Sequence, residues 1–281
     1  MTNRDISVQN YQRFSECLEQ ETGIALGASK QYLVLSRLVS FLHEYDDVSV
    51  NDIIEMALSG RDLALKQRVM DAMTTNETLW FRDGYPFKLL NQAILPNIVE
   101  KRLALHRPLR IWSAACSSGQ EAYSIAMTLL NYKEKNPRAL AGGFEIIATD
   151  ISSDVLEVGA HGKYDQMSIG RGLPSAMQAK YFTTHADGSV TALPKLRQCV
   201  KFKKLNLLAS YITLGSFDIV FCRNVLIYFS PQNKQKILQQ IAATLVSNGS
   251  LLLGASESVA SVSELFTMQK ASKGLYYTKR S

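Results

Sequence analysis

An alternation of short apolar runs with amphipathic stretches begins at residue 109 and constrains the fold more than any other feature of the sequence. Five short segments in this pattern are strand candidates: Leu109–Ala114, Phe144–Thr149, Val200–Leu205, Phe217–Cys222 and Ser250–Ala255. Three amphipathic stretches predict helices: Gln120–Tyr132, Ser152–Gly159 and Pro231–Val246. Strands that alternate with helices form a parallel α/β sheet with helices on both faces. Two last runs flank a short turn and predict a closing antiparallel hairpin: Leu265–Lys270 and Gly274–Thr278.

The residues before and within this alternation predict further regions. Residues 1–75 carry apolar side chains at helical spacing and no strand pattern, which predicts a small all-helical domain. A long helix is predicted from about Phe87 to Leu105, with a bend at Pro96. Glycines, prolines and short β-like runs predict a small inserted β-subdomain at about 162–199. We therefore divide the chain into a helical domain at 1–75, a linker at 76–86 and an α/β domain with its insert at 87–281.

The linker is unusual in its side chains. The segment 74–85 breaks the helical period with threonines, an asparagine and a glycine, but it also carries Trp80, Phe81 and Arg82. Flexible linkers are rich in small and polar residues. The aromatic content therefore indicates that this segment is more than a plain linker.

Charge and composition limit the classes of function. Residues 1–75 carry a net charge of −4 and residues 76–281 one of +10. A basic region attracts nucleic acid or an acidic protein surface, and the absence of a Lys/Arg-rich run favours the protein. The four cysteines lie far apart without a CxxC pair, and the four histidines lack metal-ligand spacing, so we expect free thiols and no metal site. With no signal-peptide pattern and no membrane-crossing run, we expect a cytoplasmic monomer.

The end of the first predicted strand is the first candidate ligand site. Ligands of parallel α/β sheets bind where the strands end at their carboxyl edge. The sequence WSAACSSG, residues 112–119, supplies small residues there and leads into a helix. Dinucleotide-binding turns need GxGxxG to seat a pyrophosphate, whereas only Gly119 is present. The turn therefore favours a ligand without phosphate, and a plain tight strand-to-helix turn is the alternative.

Polar residues follow the other strands at the same edge. Asp150 ends the second strand and either accepts hydrogen bonds from ribose hydroxyls or caps the helix that starts at Ser152. Asn206 follows the third strand and either reads an adenine edge or caps a turn. Arg223 follows the fourth strand and either contacts ligand or forms a structural salt bridge. A small-residue turn and an acid together indicate a nucleoside, and S-adenosylmethionine fits because it has a ribose, an adenine and no phosphate.

Several motifs carry a family resemblance that covers almost the whole chain. They are WSAACSSGQEAYSIAM, TDIS, FCRNVLIYF, the SES at 256–258 and the linker TTNETLWFRD. Together they strongly resemble the chemotaxis receptor methyltransferases, the CheR family. The resemblance implies a Rossmann-like methyltransferase sheet. It also implies methyl transfer from S-adenosylmethionine to glutamate side chains on chemoreceptors, which gives glutamate methyl esters and S-adenosylhomocysteine.

The resemblance also implies which residues act. Two positions lie near the transferred methyl group: Arg82 and Tyr228. Nine positions contact the cofactor: Asn76, Thr78, Arg82, Glu121, Asp150, Asn206, Leu207, Arg223 and Asn224. The first three belong to the linker, which therefore contributes to the cofactor site. The hydroxyl of Tyr228 orients the nucleophile, or Tyr228 is a packed aromatic residue. The alternatives for the whole chain are a methyltransferase for another carboxylate and a non-catalytic S-adenosylmethionine-binding module.

The inserted β-subdomain bears on the partner. In the family it can grip a short tail at the end of some receptors, and members that do so tend to have a longer glycine-rich loop. Here the corresponding stretch, Thr183–Ser189, contains one glycine and is short. We therefore expect the protein to recognise the methylation helices of the receptor directly, without a tail peptide.

Overall fold

The computed structural model describes residues 5–45, 47–102 and 107–281. The chain divides into two compact units. The first runs to Thr75 and also includes Tyr228–Asn233, whereas the second comprises Asn76–Ile227 and Lys234–Ser281. The division at Thr75 falls where the helical pattern of the sequence ends.

The first unit is helical in its described residues. Its four α-helices are α1 (Val8–Thr22), α2 (Gln31–Leu38), α3 (Val50–Leu58) and α4 (Leu63–Ala72). Short polar side chains begin three of them, because their oxygens accept hydrogen bonds from otherwise unpaired amides of the first turn. Ser7 and Asp62 do so for α1 and α4, and Ser49 forms a capping box with Asp52 at α3. The apolar stripes meet in one core that includes Phe14, Leu18 and Ile53.

The second unit contains the remaining named helices and all ten strands of the described residues. The helices are α5 (Tyr85–Leu89), α6 (Leu95–Arg102), α7 (Gln120–Lys135), α8 (Ser153–His161), α9 (Gln166–Gly170), α10 (Ser175–Tyr181) and α11 (Pro194–Arg197). The last helix, α12 (Pro231–Thr244), begins within the segment Tyr228–Asn233 of the first unit and continues in the second. The strands are β1 (Leu109–Ala114), β2 (Phe144–Asp150), β3 (Lys163–Tyr164), β4 (Phe182–Thr184), β5 (Val190–Ala192), β6 (Val200–Lys204), β7 (Phe217–Cys222), β8 (Leu245–Leu253), β9 (Phe266–Ala271) and β10 (Gly274–Lys279).

The main sheet has seven strands in the order β6-β2-β1-β7-β8-β10-β9. The first five are parallel, and β10 pairs antiparallel with both β8 and β9. The predicted α/β sheet with a closing antiparallel hairpin is therefore confirmed. Because β1, β2 and β7 are parallel, their carboxyl ends lie at the same edge of the sheet. The strand order reverses at β1, and ligands of such sheets bind at this point.

Two elements differ from the sequence prediction by more than a few terminal residues. The structure starts β8 at Leu245 instead of Ser250, and its pairing with β7 shifts register around Asn248, whose φ is 59°. The predicted long helix is interrupted by a π-helical turn at Leu90–Ile94, directly before Pro96. There the amide of Leu95 donates to the carbonyl of Leu90, five residues back. Leu105, the predicted end of that helix, lies outside the described residues.

A second sheet, of three antiparallel strands, is formed by β3, β4 and β5, in the stretch for which the sequence predicts an inserted β-subdomain. Its strand order is β3-β5-β4. The short helices α9 and α10 lie between β3 and β4 in the sequence, and α11 follows β5. Strand β4 pairs with β5 from Phe182–Ala192 to Thr184–Val190. The two strands are joined by the short loop 185–189.

Candidate functional site

Among the described residues, the loops at the carboxyl edge of the main sheet and the linker together hold five of the seven left-handed residues that are not glycine. Ala115 and Ser117 follow β1 with φ of 54° and 50°, and Asn224 follows β7 with φ of 57°. The linker adds Phe81 and Asp83, with φ of 48° and 65°. Each such residue costs about 1–3 kcal/mol, and such strain clusters at functional sites. The backbone therefore indicates the same edge that the sequence motifs indicate.

The loop after β1 is not built to seat a phosphate. Two of its amides are already bonded within the protein: Cys116 N donates to Thr149 O at 2.9 Å, and Ser117 N donates to Asp150 Oδ2 at 2.8 Å. A carboxylate at this loop also repels a phosphate. Gly119 has a φ of 92°, and a Cβ there would lie 2.9 Å from the ring of Phe202, so the single glycine serves close packing. This geometry supports the prediction of a ligand without phosphate.

Asp150 is nearly buried, at 7% exposed. Its second oxygen, Oδ1, accepts a hydrogen bond from Ser152 N at 3.1 Å, at the start of α8. This bond closes a turn that leads into α8, whose first turn has no side-chain cap, so the capping role considered from the sequence is not what the structure shows. The same carboxylate also joins the loop after β1 to the loop after β2, because Ser117 N donates to Oδ2.

A buried ion cluster joins the linker to the ends of two strands. Arg223, whose side chain is 1% exposed, donates to Glu121 Oε2 at 2.8 Å and to Asp83 Oδ2 at 2.6 Å. Glu121 lies in the first turn of α7, and its Oε1 accepts from Ser113 Oγ at 2.8 Å. One guanidinium between two carboxylates leaves the cluster with a net charge of −1. The structural salt bridge considered for Arg223 is therefore present.

Arg223 has one nitrogen that these contacts do not use. Its Nε is buried and has no hydrogen-bond partner among the described residues. A buried unpaired donor is costly, on the order of 1–3 kcal/mol, and calls for a specific explanation. An acceptor on a bound ligand would satisfy this donor.

Of the three predicted linker residues, Arg82 contacts this cluster and Asn76 contacts the loop after β1. Arg82 is half-buried; its side chain donates to Glu77 O at 3.2 Å, and its carbonyl accepts from Arg223 Nη2 at 3.1 Å. The carbonyl of Asn76 accepts from Ser117 Oγ at 2.8 Å, which joins the linker to the loop after β1. Thr78, which lies between Asn76 and Arg82 in the sequence, is half-buried.

Asn206 and Leu207 follow β6 in a tight turn. The side chain of Asn206 accepts from Leu208 N at 2.9 Å, which is the turn-capping role considered from the sequence. Leu207 is 6% exposed, and its carbonyl accepts a hydrogen bond from the hydroxyl of Tyr211. Contact of either residue with an adenine stays a prediction.

Tyr228 is grouped differently from the other predicted residues. It belongs to the first compact unit, whereas the nine predicted cofactor residues all belong to the second. Its carbonyl accepts a hydrogen bond from Ala25 N at 2.9 Å, and the adjacent Phe229 forms a β-bridge with Ile24. The segment around Tyr228 therefore pairs with the residues that connect α1 to α2.

Sequence reasoning missed two acidic residues in these loops. Asp83 pairs with Arg223, and Glu257 accepts hydrogen bonds from the backbone after β7. Asp83 directly follows Arg82 in the linker motif, and Glu257 is the centre of the SES motif, so both motifs contained a signal. Neither partner was predictable, because each lies far away in the sequence.

The two cysteines at this edge are not nucleophiles. Cys116 and Cys222 are 1% and 0% exposed. Burial, and then the nearby charges of Asp150 for Cys116 and Glu257 for Cys222, raises the pKa of both thiols well above the usual value. They are therefore protonated at neutral pH, when only a thiolate would react. Within the described part of the chain, no cluster of His, Cys, Asp or Glu has the arrangement of a metal site.

Comparison with known proteins decides the family. The family model for the CheR methyltransferase, SAM binding domain, matches residues 76–275. The chain belongs to the CheR methyltransferase family. It is a methyltransferase of a family whose matched domain binds S-adenosylmethionine, which confirms the resemblance read from the sequence motifs.

Relatives in the family match nearly the full length of the chain. A chemotaxis protein methyltransferase of Vibrio parahaemolyticus is 46% identical over 277 residues, which cover 99% of each chain. Chemotaxis protein methyltransferase 1 of Pseudomonas aeruginosa is 43% identical, over 95% of this chain and 97% of that protein. Chemotaxis protein methyltransferase 2 of Vibrio cholerae is 35% identical, over 98% and 94%. None of the helices described for this CheR-family chain is long and apolar enough to span a membrane.

Proposed function

We propose that this protein transfers the methyl group of S-adenosylmethionine to glutamate side chains on chemoreceptors, which gives glutamate methyl esters and S-adenosylhomocysteine. The observation that carries the proposal is the set of loops at the carboxyl edge of the sheet. There Asp150 and the cluster around Arg223 lie in the positions of the family motifs. The relatives named chemotaxis protein methyltransferase, which match over almost the whole chain, support the same substrate class.

The residues at this edge fit S-adenosylmethionine chemically. The carboxylate of Asp150 ends β2, where a ribose hydroxyl donates in related folds. The net charge of −1 on the cluster of Arg223, Glu121 and Asp83 suits a ligand that carries an ammonium and a sulfonium. The unpaired Nε of Arg223 suits a ligand carboxylate. The loop after β1, in which the amides of Cys116 and Ser117 are already bonded, suits a nucleoside that lacks phosphates.

The reaction needs alignment more than acid–base help from the protein. Bound S-adenosylmethionine supplies a methyl group on a positively charged sulfur. A glutamate carboxylate, with a pKa of about 4.3, is ionised at neutral pH and needs no general base. Holding the carboxylate in line with the methyl group and the sulfur contributes roughly 7–11 kcal/mol. One carboxylate oxygen forms the new bond to carbon, the carbon–sulfur bond breaks, and its electron pair stays on sulfur.

The role of Arg82 follows from this charge balance, and that of Tyr228 rests on the family resemblance. The attacking carboxylate and the sulfonium neutralise each other as the bond forms, so a cation paired strongly with the nucleophile would slow the reaction. We therefore assign Arg82 to anchoring a carboxylate of the substrate or of the cofactor. The hydroxyl of Tyr228 is assigned to orienting the nucleophile.

The test uses S-adenosylmethionine labelled in the methyl group and membranes that contain the receptor. We expect label in the receptor band, and release of that label as volatile methanol after mild alkali, because the product is an ester. Label that withstands alkali would indicate N-methylation and contradict the proposal.

Calorimetry should detect binding of S-adenosylhomocysteine and no binding of NAD. An Arg82→Ala variant should bind S-adenosylhomocysteine more weakly or lose turnover.

A further inference from the structure

Glu257 is the centre of a compact hydrogen-bond arrangement in the loops after β7 and β8. Its Oε2 accepts from Asn224 N at 2.8 Å and from Gly254 N at 2.7 Å. Its Oε1 accepts from Val225 N at 2.9 Å and from Leu226 N at 2.7 Å. One half-buried carboxylate therefore holds four backbone amides, three of which are consecutive.

The backbone needs this carboxylate to keep its shape. Asn224 has a φ of 57°, a conformation that residues other than glycine adopt at a cost. The left-handed residue turns the following amides toward one point, where they form a concave site for an anion. Hydrogen bonds from amides to a carboxylate are stronger than those between neutral groups, so they stabilise the turn.

The glycine at the end of β8 shows independently how tightly this arrangement is packed. A Cβ at Gly254 would lie 2.6 Å from Glu257 Oε2 and 2.9 Å from Asn224 N. Neither atom can give way easily, because one is held by amides and the other is backbone. Residue 254 must therefore be glycine for the carboxylate to reach the loop after β7.

The loop that Glu257 holds carries two predicted cofactor residues. Asn224 is held through its own amide, and Arg223 directly precedes it. The guanidinium of Arg223 needs one backbone position to meet Glu121 and Asp83 together. We infer that Glu257 is a positioning residue, which fixes the backbone at 223–226 and through it the cofactor affinity of Arg223 and Asn224. The inference rests on the proposed function, because cofactor binding at these residues belongs to that proposal.

The variant Glu257→Gln tests the inference with little change in shape. The glutamine keeps one acceptor oxygen but directs an NH₂ group at two of the four amides, so two hydrogen bonds are lost. We expect the dissociation constant of S-adenosylhomocysteine, measured by calorimetry, to rise about tenfold. In ligand-free protein, the amides of Asn224, Val225 and Leu226 should exchange hydrogen at least about tenfold faster than in the wild type. Glu264→Gln, at an exposed position, is the matched control and should change neither quantity.

A second variant reaches the same loop without removing the charge. Gly254→Ala should displace the carboxylate and reproduce the weaker binding and the faster exchange. Because both changes act on one contact, the double variant should be no weaker than the worse single variant. Additive losses would contradict a shared mechanism.

The possible outcomes separate this inference from the proposed function. If Glu257 serves stability alone, Glu257→Gln lowers the melting temperature but leaves the affinity per folded molecule unchanged, and the inference is overturned. Unchanged exchange at residues 224–226 overturns it as well, with or without ligand. Failure of the wild type to bind S-adenosylhomocysteine overturns the proposed function, and faster exchange in Glu257→Gln would then support only the anchoring of the loop.

Discussion

At the scale of single residues, Asp150 combines a structural role with the ligand role that we propose. Its oxygens accept from Ser117 N and Ser152 N, so it holds the two loops between which a nucleoside would lie. A substitution that removes its charge therefore affects the shape of the site and the ligand contact together. The conservative change to asparagine limits the structural part.

We expect Asp150→Asn to weaken S-adenosylhomocysteine binding by about 1.5–3 kcal/mol, because hydrogen bonds to a charged acceptor are lost. Calorimetry measures the affinity, and thermal unfolding shows whether the fold is kept. Asp154→Asn, at an exposed position in the first turn of α8, is the matched control. An affinity equal to that of the wild type in a folded Asp150→Asn variant would exclude Asp150 from the site.

The buried thiols give a second prediction at this scale. Cys116 and Cys222 carry pKa values raised by burial, so the thiol form dominates at neutral pH and even at pH 8. Iodoacetamide at pH 8 should leave both unmodified in the native protein and modify all four cysteines after denaturation, as read by mass spectrometry. Rapid native modification of either residue would show that the edge of the sheet opens or that a thiolate is present.

At the scale of elements, the hydrophobic pattern of the sequence predicted the strands whose bounds are set by burial. The strands β1 and β7 match their predicted bounds, because each is a mostly apolar segment of strand length whose residues are nearly all buried. The start of β8 was missed because Ser247-Asn248-Gly249 reads as a turn, whereas it is an irregularity within the strand. The π-helical turn was missed because no local pattern distinguishes it from an α-helical turn before Pro96.

The hydrogen bonds of the candidate site were less predictable than its strands. The motifs placed Glu121, Asp150 and Arg223 at one edge, since the carboxyl ends of parallel strands meet there. The pairing of Arg223 with Asp83 spans 140 residues of sequence, and that of Glu257 with Asn224 spans 33. Periodicity says nothing about such pairs, because they depend on where loops meet in three dimensions.

The linker is an element whose aromatic content the structure explains. Trp80 is 2% exposed and packs edge-on against Tyr164 and Phe182 of the inserted subdomain, at centroid distances of 4.9 and 5.5 Å. Its Nε1 donates to Ser168 O at 3.0 Å. The linker is therefore anchored in the inserted subdomain on one side and to the loop after β1 through Asn76 on the other.

We expect Trp80→Ala to lower the free energy of unfolding by about 3–5 kcal/mol, because it leaves a cavity in this packing. Trp80→Phe keeps most of the ring contact and should lose chiefly the hydrogen bond to Ser168, at about 1 kcal/mol. Urea unfolding measures both values. Met167→Ala, which truncates a side chain that is 78% exposed in the same subdomain, is the control and should change little. Equal losses for the two Trp80 variants would contradict the packing role.

At the scale of the whole molecule, charge is divided between the two parts of the chain. Residues 1–75 carry −4 and residues 76–281 carry +10. A basic surface attracts helices that expose glutamates, and exposed charges are screened beyond about 8–10 Å at physiological ionic strength. Receptor methylation should therefore slow as salt rises from about 0.05 to about 0.5 M, whereas S-adenosylhomocysteine binding at the enclosed edge should change less. A methylation rate independent of salt would contradict electrostatic recognition.

The loop between β4 and β5 bears on how the protein finds its substrate. The loop between β4 and β5 is short and already hydrogen-bonded within itself: His185 N donates to Ser189 O at 2.8 Å, and Asp187 accepts from Ser189 N at 2.9 Å. The backbone groups in these bonds are not free to pair with an added strand, and such pairing is how a sheet edge binds a peptide. A tether would supply an effective concentration on the order of mM, so enzymes that depend on one lose activity when it is cut. We expect a receptor without its C-terminal tail to be methylated at the same rate as the intact receptor. Loss of methylation on truncation, or micromolar binding of an isolated tail peptide, would contradict direct recognition and leave the methyltransferase assignment unchanged.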